Sequence, residues 1–168
     1  MNISNAITSK RGWLASLLVP LALALPLQSV QAQSFTTLRT WPAGSFATGW
    51  TTIVDTPNGL LYYNAQNGAG SVGRIDSTGN HVTIRSYPAG SFATGWTSIV
   101  STPNGLLFYN AQTGAGAIGR LDSAGNHTTL ATYPNGAFAL GWNRVVYSPN
   151  GVLFYNPANG AGATGRVN

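Results

Sequence analysis

The 168-residue chain contains no cysteine and no glutamate, and its only lysine is Lys10. Without cysteine the fold must be held by packing rather than by disulfides. Few acid–base groups remain: three aspartates and two histidines. Six arginines follow residue 32, and they are spread along the chain, whereas nucleic-acid-binding domains cluster their basic residues. This composition argues against an enzyme, and we expect no catalytic residue, no metal site, no cofactor and no nucleic-acid partner.

Residues 1–32 have the pattern of a secretory signal peptide. Lys10 and Arg11 precede an apolar stretch over 13–27, and a small-residue cleavage pattern ends at Ala32. The apolar stretch has about 15 residues, fewer than the roughly 20 that cross a membrane. We therefore predict that residues 33–168 are exported, to the periplasm or out of the cell, and have no membrane span.

A 46-residue repeat organises the remaining sequence. Units 39–84 and 85–130 differ at only 12 of their 46 positions, and unit 131–168 continues the pattern. Each unit is rich in β-branched and aromatic residues, with glycine and proline between the runs, and shows no helical periodicity. We predict an all-β domain with four strands per unit, in the first unit at 50–55, 60–64, 70–75 and 81–85.

The stretch "NGAGSVGR" at 67–74 recurs as "TGAGAIGR" and "NGAGATGR", and each copy satisfies G-x-G-x-x-G. A dinucleotide-binding loop needs a helix after these glycines, because the helix N-terminus holds the pyrophosphate. Here Arg74 and Ile75 lead into another turn instead. We therefore interpret the glycines as a tight link between strands, in which Gly73 allows a neighbouring ring or backbone to approach closely.

A segment that matches a fourth strand precedes the first unit, and the third unit lacks its own fourth strand. Residues 34–38 align with 80–84, the fourth strand of the first unit, and the third unit matches only the first three strands. We predict that 34–38 supplies the strand missing from the last unit. Propeller-like blades would fit if two copies form a six-bladed ring, because propellers have about four to eight blades. A β-trefoil, closed within one chain, and a piece of a longer blade array are the alternatives.

Each unit also has a family likeness. A Gly-Trp pair such as Gly49-Trp50, a strand, the turn Pro57-Asn58-Gly59 and a Leu-aromatic strand follow one another. This half of each unit resembles the repeat of the tachylectin family of propeller lectins. The resemblance implies β-propeller blades and the binding of sugars, especially N-acetylated ones, at equivalent pockets between blades, without catalysis.

Three residue types per unit are candidates for contacting a sugar. A tryptophan ring packs well on the apolar face of a sugar, while asparagine and arginine supply donors and acceptors for its hydroxyl and acetamido groups. The structural alternative is that tryptophan anchors the core and that the polar side chains cap loops. Phe46, Phe92 and Phe138 are expected to plug the gaps between blades. The candidate carbohydrate-binding residues are Trp50, Trp96, Trp142, Asn64, Asn110, Asn156, Arg74, Arg120 and Arg166.

The sequence thus favours a secreted, multivalent, lectin-like protein with one glycan site per repeat, assembled as a homo-oligomer. The alternative is a structural or adhesive repeat protein that binds other proteins and no sugar.

Overall fold

The computed structural model describes residues 33–168. This part of the chain is all-β and contains no helix. Its strands are β1 (Thr52–Thr56), β2 (Gly59–Tyr63), β3 (Gly70–Ile75), β4 (His81–Tyr87), β5 (Ser98–Thr102), β6 (Gly105–Tyr109), β7 (Gly116–Leu121), β8 (His127–Tyr133), β9 (Arg144–Ser148), β10 (Gly151–Tyr155) and β11 (Gly162–Gly165).

The strands form three separate antiparallel sheets, one per repeat. The first sheet has the order β1-β2-β3-β4, the second β5-β6-β7-β8 and the third β11-β10-β9. Within residues 33–168 no strand pairs with a strand of another unit. The predicted strand types and order are confirmed, with ends shifted by up to two residues. In the first two sheets a β-bulge interrupts the pairing of the third and fourth strands, after Val72 and after Ile118.

The second sheet packs between the other two, and its first strand, β5, lies between β1 and β9. Side chains alternate along β6, as the pleat of a strand requires. Leu106 and Phe108 pack in one cluster with Leu61 of the first sheet. Leu107 and Tyr109 pack in a second cluster with residues of the third sheet. We call the face that meets the preceding sheet the upstream face, and the opposite one the downstream face.

The two junctions between sheets use the same contacts. The linker after each fourth strand crosses the preceding sheet, and its phenylalanine sits between the sheets. Phe92 is 7% exposed and contacts the rings of Tyr63 and Phe108 at centroid distances of 6.1 and 6.3 Å. Phe138 repeats this with Tyr109 and Phe154, each at 6.0 Å. The predicted plugs are therefore confirmed at both junctions.

The third sheet has three strands, and residues 34–38 form no strand in the described part of the chain. The predicted pairing of 34–38 with the last unit is therefore not made within one copy, since β11 has no neighbour on its outer side. The predicted signal peptide, 1–32, lies outside the described residues. Within 33–168 no helix has the length and hydrophobicity needed to cross a membrane.

Candidate functional site

The three repeated tryptophans occupy equivalent places, two residues before the first strand of each sheet. Each is half-buried and packs against the aromatic residue at the penultimate position of the second strand. The ring centroids are 5.9 Å apart for Trp50 and Tyr62, 5.9 Å for Trp96 and Phe108, and 6.4 Å for the third pair, at 54° in all three. One face of each indole therefore packs against its own sheet, and part of the ring stays accessible.

The asparagines that follow the second strands lie at the same end of the sheets. Asn64 Oδ1 accepts hydrogen bonds from the backbone N–H groups of Gln66 and Asn67, at 2.9 and 3.3 Å. The same bonds recur at Asn110. A Cβ atom at Gly49 would lie 3.0 Å from Asn64 Nδ2, so the amide nitrogen lies close to the residue before Trp50. The oxygen stabilises the loop, while the nitrogen lies beside Gly49, the residue before the tryptophan.

The third asparagine keeps this arrangement in outline. Asn156 Oδ1 accepts a hydrogen bond from Ala158 at 2.9 Å, and its Nδ2 would lie 3.3 Å from a Cβ atom at Gly141, the residue before Trp142. The structure therefore brings tryptophan and asparagine together once per unit. We call this region, with the loop before the tryptophan, the Trp–Asn end of a sheet.

The candidate arginines lie at the opposite end. Arg74 is four residues beyond Gly70 on β3, about 13 Å at the rise of an extended strand. Its Nη2 donates to the carbonyl groups of Asn58 and Ser123 at 3.4 and 3.3 Å, and Arg166 bonds Asn150 at 3.3 Å. All three arginines, including Arg120, are exposed. The structure therefore separates the arginines from the tryptophans and asparagines.

A niche opens at the Trp–Asn end of the first sheet. It has a volume of about 290 Å³ and is lined by Trp50, Tyr62 and the preceding loop. His81 closes its floor, with the rings of Phe46 and Tyr62 at 5.1 and 5.5 Å from the imidazole. Hydroxyl groups of Ser45, Ser71, Thr83 and Ser86 also line it. The niche combines aromatic walls with neutral hydroxyls and carries no acidic or basic cluster.

Gly73 and Gly119 explain the recurring glycine motif. A Cβ atom at Gly73 would overlap the imidazole of His81, and one at Gly119 would overlap that of His127. The motif continues into β3 and β7 rather than into a helix, so the interpretation as a strand link that admits a close ring is confirmed. His81 Nε2 and His127 Nε2 are buried without a hydrogen-bond partner. Burial lowers the pKa of His127, because it disfavours the charged form.

Asp76 and Asp122 stabilise turns. Asp76 Oδ1 accepts hydrogen bonds from Thr78 Oγ1 at 2.7 Å and from the backbone N–H groups of Thr78 and Asn80, both at 2.9 Å. The bond from the Thr78 side chain, followed by the others, lowers the pKa of Asp76 to about 2. Among residues 33–168 no three histidine, aspartate or glutamate side chains are close enough together to hold a metal ion.

Comparison of the chain with protein-family models, with curated proteins and with solved structures finds no significant match.

Proposed function

We propose that this chain is a secreted, non-catalytic, multivalent carbohydrate-binding protein built from propeller-like blades, with one site at the Trp–Asn end of each sheet. Separate four-stranded meanders support blades over a trefoil, whose units pair strands with one another to close a barrel. The likeness to tachylectin repeats agrees with this assignment. The predicted leader over 1–32 would export the chain, which would then have access to glycans outside the cell.

The exposure of the tryptophans carries the proposal. Trp96 and Trp142 pack on the clusters between the sheets and Trp50 has no preceding sheet, yet each of the three rings keeps part of its surface accessible. Phe92 fills the gap between the first two sheets and is buried there, whereas Trp96 at the same junction keeps part of its ring accessible. An aromatic face beside an amide donor is suited to a sugar, which offers an apolar C–H face and hydroxyl acceptors.

Sites of this kind are individually weak and gain strength through number. Three sites on one chain can engage a crowded glycan surface together, so the apparent affinity exceeds that of any single site. Neutral hydroxyl groups line the niche beside Trp50. This favours uncharged sugars, and the amide of Asn64 is placed to donate to an acetamido or hydroxyl oxygen.

A glycan array, followed by calorimetry with a monovalent N-acetylated sugar, tests the proposal. We expect binding by the wild-type chain and a stepwise loss of sites when Trp50, Trp96 and Trp142 are replaced by alanine one after another. No binding of any sugar by a folded protein would remove the proposal and favour the adhesive alternative, in which the partner is a protein.

An arginine variant is the matched control. Arg120→Gln changes an exposed side chain at the end of the sheet remote from Trp96 and leaves the apolar packing intact. We expect it to bind the monovalent sugar with wild-type affinity. Loss of binding in Arg120→Gln with retention in Trp96→Ala would move the site to the arginine end of the sheet.

A further inference from the structure

Equivalent side chains are buried in the second sheet but exposed on the outermost faces of the other two. On the downstream face, Leu107 is 3% exposed and its counterpart in the third sheet, Leu153, is 45% exposed. On the upstream face, Ile99 is 6% exposed, whereas its counterpart in the first sheet, Ile53, is 56% exposed. The two exposed faces are therefore the two halves of a junction that the chain makes twice internally.

A groove of about 430 Å³ borders the third sheet, and it is lined by apolar side chains that include Leu130, Phe138 and Phe154. At the junction between the first two sheets, the corresponding space is occupied. There the turn before β8 packs on Ile84 and Val72, and the ring of His127 lies 4.9 Å from Phe92 and 5.6 Å from Phe108. No described residue takes that place beside the third sheet.

The tyrosine that ends the second strand of each sheet shows the same contrast between the third sheet and the two sheets before it. Tyr63 Oη donates to the carbonyl of Ala93 at 2.8 Å and accepts from the backbone N–H of Trp96 at 3.2 Å. Tyr109 makes the same pair of bonds to the next linker. Their counterpart Tyr155 has no following linker among residues 33–168 and is 39% exposed.

A second hydrogen bond between sheets recurs at the hairpin turns. Asn58 Nδ2 donates to the carbonyl of Leu121 at 2.8 Å, and Asn104 Nδ2 donates to that of Val167 at 2.8 Å. Asn150 is the third member of this series. By the repeat, its partner would be the carbonyl of the residue that corresponds to Leu121 in a following sheet, which is Ile75 of a first sheet.

The segment before the first sheet has the sequence of the fourth strand that is missing beside the groove. Phe35 stands 92 residues before His127 and 46 before His81, so it has the repeat position of the ring that fills the other junction. Phe35 is 94% exposed. Leu38 and Arg39 lie against Gly79 as Ile84 and Arg85 lie against Gly125. The C-terminal end of this segment therefore already follows the path of a fourth strand that belongs to a preceding sheet.

We infer that the third sheet of one copy binds the first sheet of a second copy head to tail. The second copy's residues 35–41 pair with β11 as its fourth strand, and its Phe35 enters the groove between Phe138 and Phe154. Leu153 and Tyr155 then meet the second copy's Ile53 and the linker that carries its Phe46. Two copies joined at both ends give six sheets. This inference does not depend on sugar binding.

Light scattering on the chain expressed from its complete sequence tests the inference. We expect two copies per particle for the wild type and one for Leu153→Arg, because the arginine would be buried unpaired at the junction. Leu153 is already exposed in a single copy, so the variant should keep its β-sheet circular dichroism spectrum.

Val82→Arg is the matched control. Val82 is 56% exposed, and its counterpart Thr128 stays exposed although a neighbouring sheet is present. We expect Val82→Arg to remain a dimer. A monomeric wild type at every concentration, or an assembly that Leu153→Arg leaves intact, would overturn the inference.

Phe35 gives an independent second pair of variants. Phe35→Ser should weaken the dimer at least tenfold, and Phe35→His should retain it, because histidine fills the same position at the other junction. Equal dimer strength for Phe35→Ser and wild type would contradict the placement of Phe35 in the groove. Sugar binding at Trp96 and Trp142, measured with a monovalent ligand, should not change in any of these variants, whereas the niche beside Trp50 lies on the upstream face of the first sheet, which the second copy covers. Unchanged binding at those two sites keeps failure of this inference separate from failure of the proposed lectin function.

Discussion

Leu107 and Leu153 are the same residue at the same position of successive repeats, yet one is in the core and the other faces solvent. The same contrast separates Tyr109 from Tyr155. Since the local sequence and the strand pairing are alike, the difference comes from what lies next to each sheet. A sheet with apolar residues on both faces is buried only when it has a neighbour on each side.

The second sheet and the outer sheets are therefore expected to contribute differently to the free energy of unfolding. The second sheet has two neighbours and supplies members to both hydrophobic clusters. Each outer sheet has one neighbouring sheet, so each exposes a face whose apolar residues are buried at the equivalent positions of the second sheet. Apolar surface removed from water is the main favourable term in packing, and the exposed faces therefore represent stabilisation that only a further sheet can supply.

The largest difference is expected between Leu107→Ala and Leu153→Ala. Truncating the buried leucine should cost about 2–5 kcal/mol of unfolding free energy. Truncating Leu153 should act only through assembly, so its effect should grow with protein concentration, whereas that of Leu107→Ala should not. Urea titrations at two protein concentrations would measure both, and a large, concentration-independent loss in Leu153→Ala would contradict the account.

The glycines at equivalent positions of the third strands should show the same difference between the second and third sheets. Gly119→Ala places a methyl group where the imidazole of His127 lies, and overpacking of this kind costs about 1–3 kcal/mol. At Gly165 the nearest atom to a new Cβ is Phe154 Cε2 at 3.8 Å, an ordinary contact, so Gly165→Ala should leave the single chain as stable as before. Thermal melts at low concentration compare the two, and equal losses would show that the ring is not what excludes a side chain.

Loss of a tyrosine hydroxyl should have an effect of similar size. Tyr109→Phe removes the donor to Ala139 and the acceptor for Trp142, which should cost about 1–3 kcal/mol because both backbone groups lose their partner. Tyr155→Phe should match this only where the dimer forms and should be neutral in the background of Leu153→Arg. Unfolding curves of the single and double variants test this, and a cost in the monomeric background would point to a partner within the chain.

The smallest expected effect is on pH dependence. Burial lowers the pKa of His127 in the folded state, whereas the unfolded chain regains the ordinary value of about 6.5. Between these pKa values the unfolded state binds a proton that the folded state does not. Stability should therefore fall as the pH is lowered below about 6.5 and be fully present above it. His127→Phe should flatten this slope in denaturant titrations at pH 7.5 and 5.5, and an unchanged slope would assign it to another group.

Much of the fold follows from the sequence. The 46-residue period, the Pro-Asn-Gly turns and the β-branched runs predicted the four-strand units, and the strand after the glycine motif excluded a phosphate loop. The plug positions of Phe92 and Phe138 also follow, because a single large apolar residue in a polar linker needs a place to be buried.

The candidate site could be predicted only in part. Trp50 and Asn64 were identified as site residues, and the structure places them at the same end of the sheet. Arg74 is grouped with them because its guanidinium supplies donors for a sugar, but β3 places it at the other end of the sheet. The sequence does not predict His81, Ser71 or Ser86 as part of the niche, since nothing in one repeat reveals that a fourth-strand ring packs over Gly73. That contact depends on strand register and on the bulge after Val72.

The pairing of residues 35–41 of a second copy with β11 is tested most directly by an engineered disulfide, because the chain has no cysteine of its own. Arg120 pairs with Thr128 across β7 and β8, and the repeat makes Arg166 and Thr36 of a second copy the corresponding pair. Paired positions in an antiparallel ladder lie about 4.5–5.5 Å apart between Cα atoms, within disulfide range.

The account predicts that Thr36→Cys with Arg166→Cys gives a dimer under non-reducing conditions. Val82→Cys with Arg166→Cys should not, because Val82 already pairs with Arg74. A monomer in both cases, or a cross-link closed within a single copy, would contradict the head-to-tail junction.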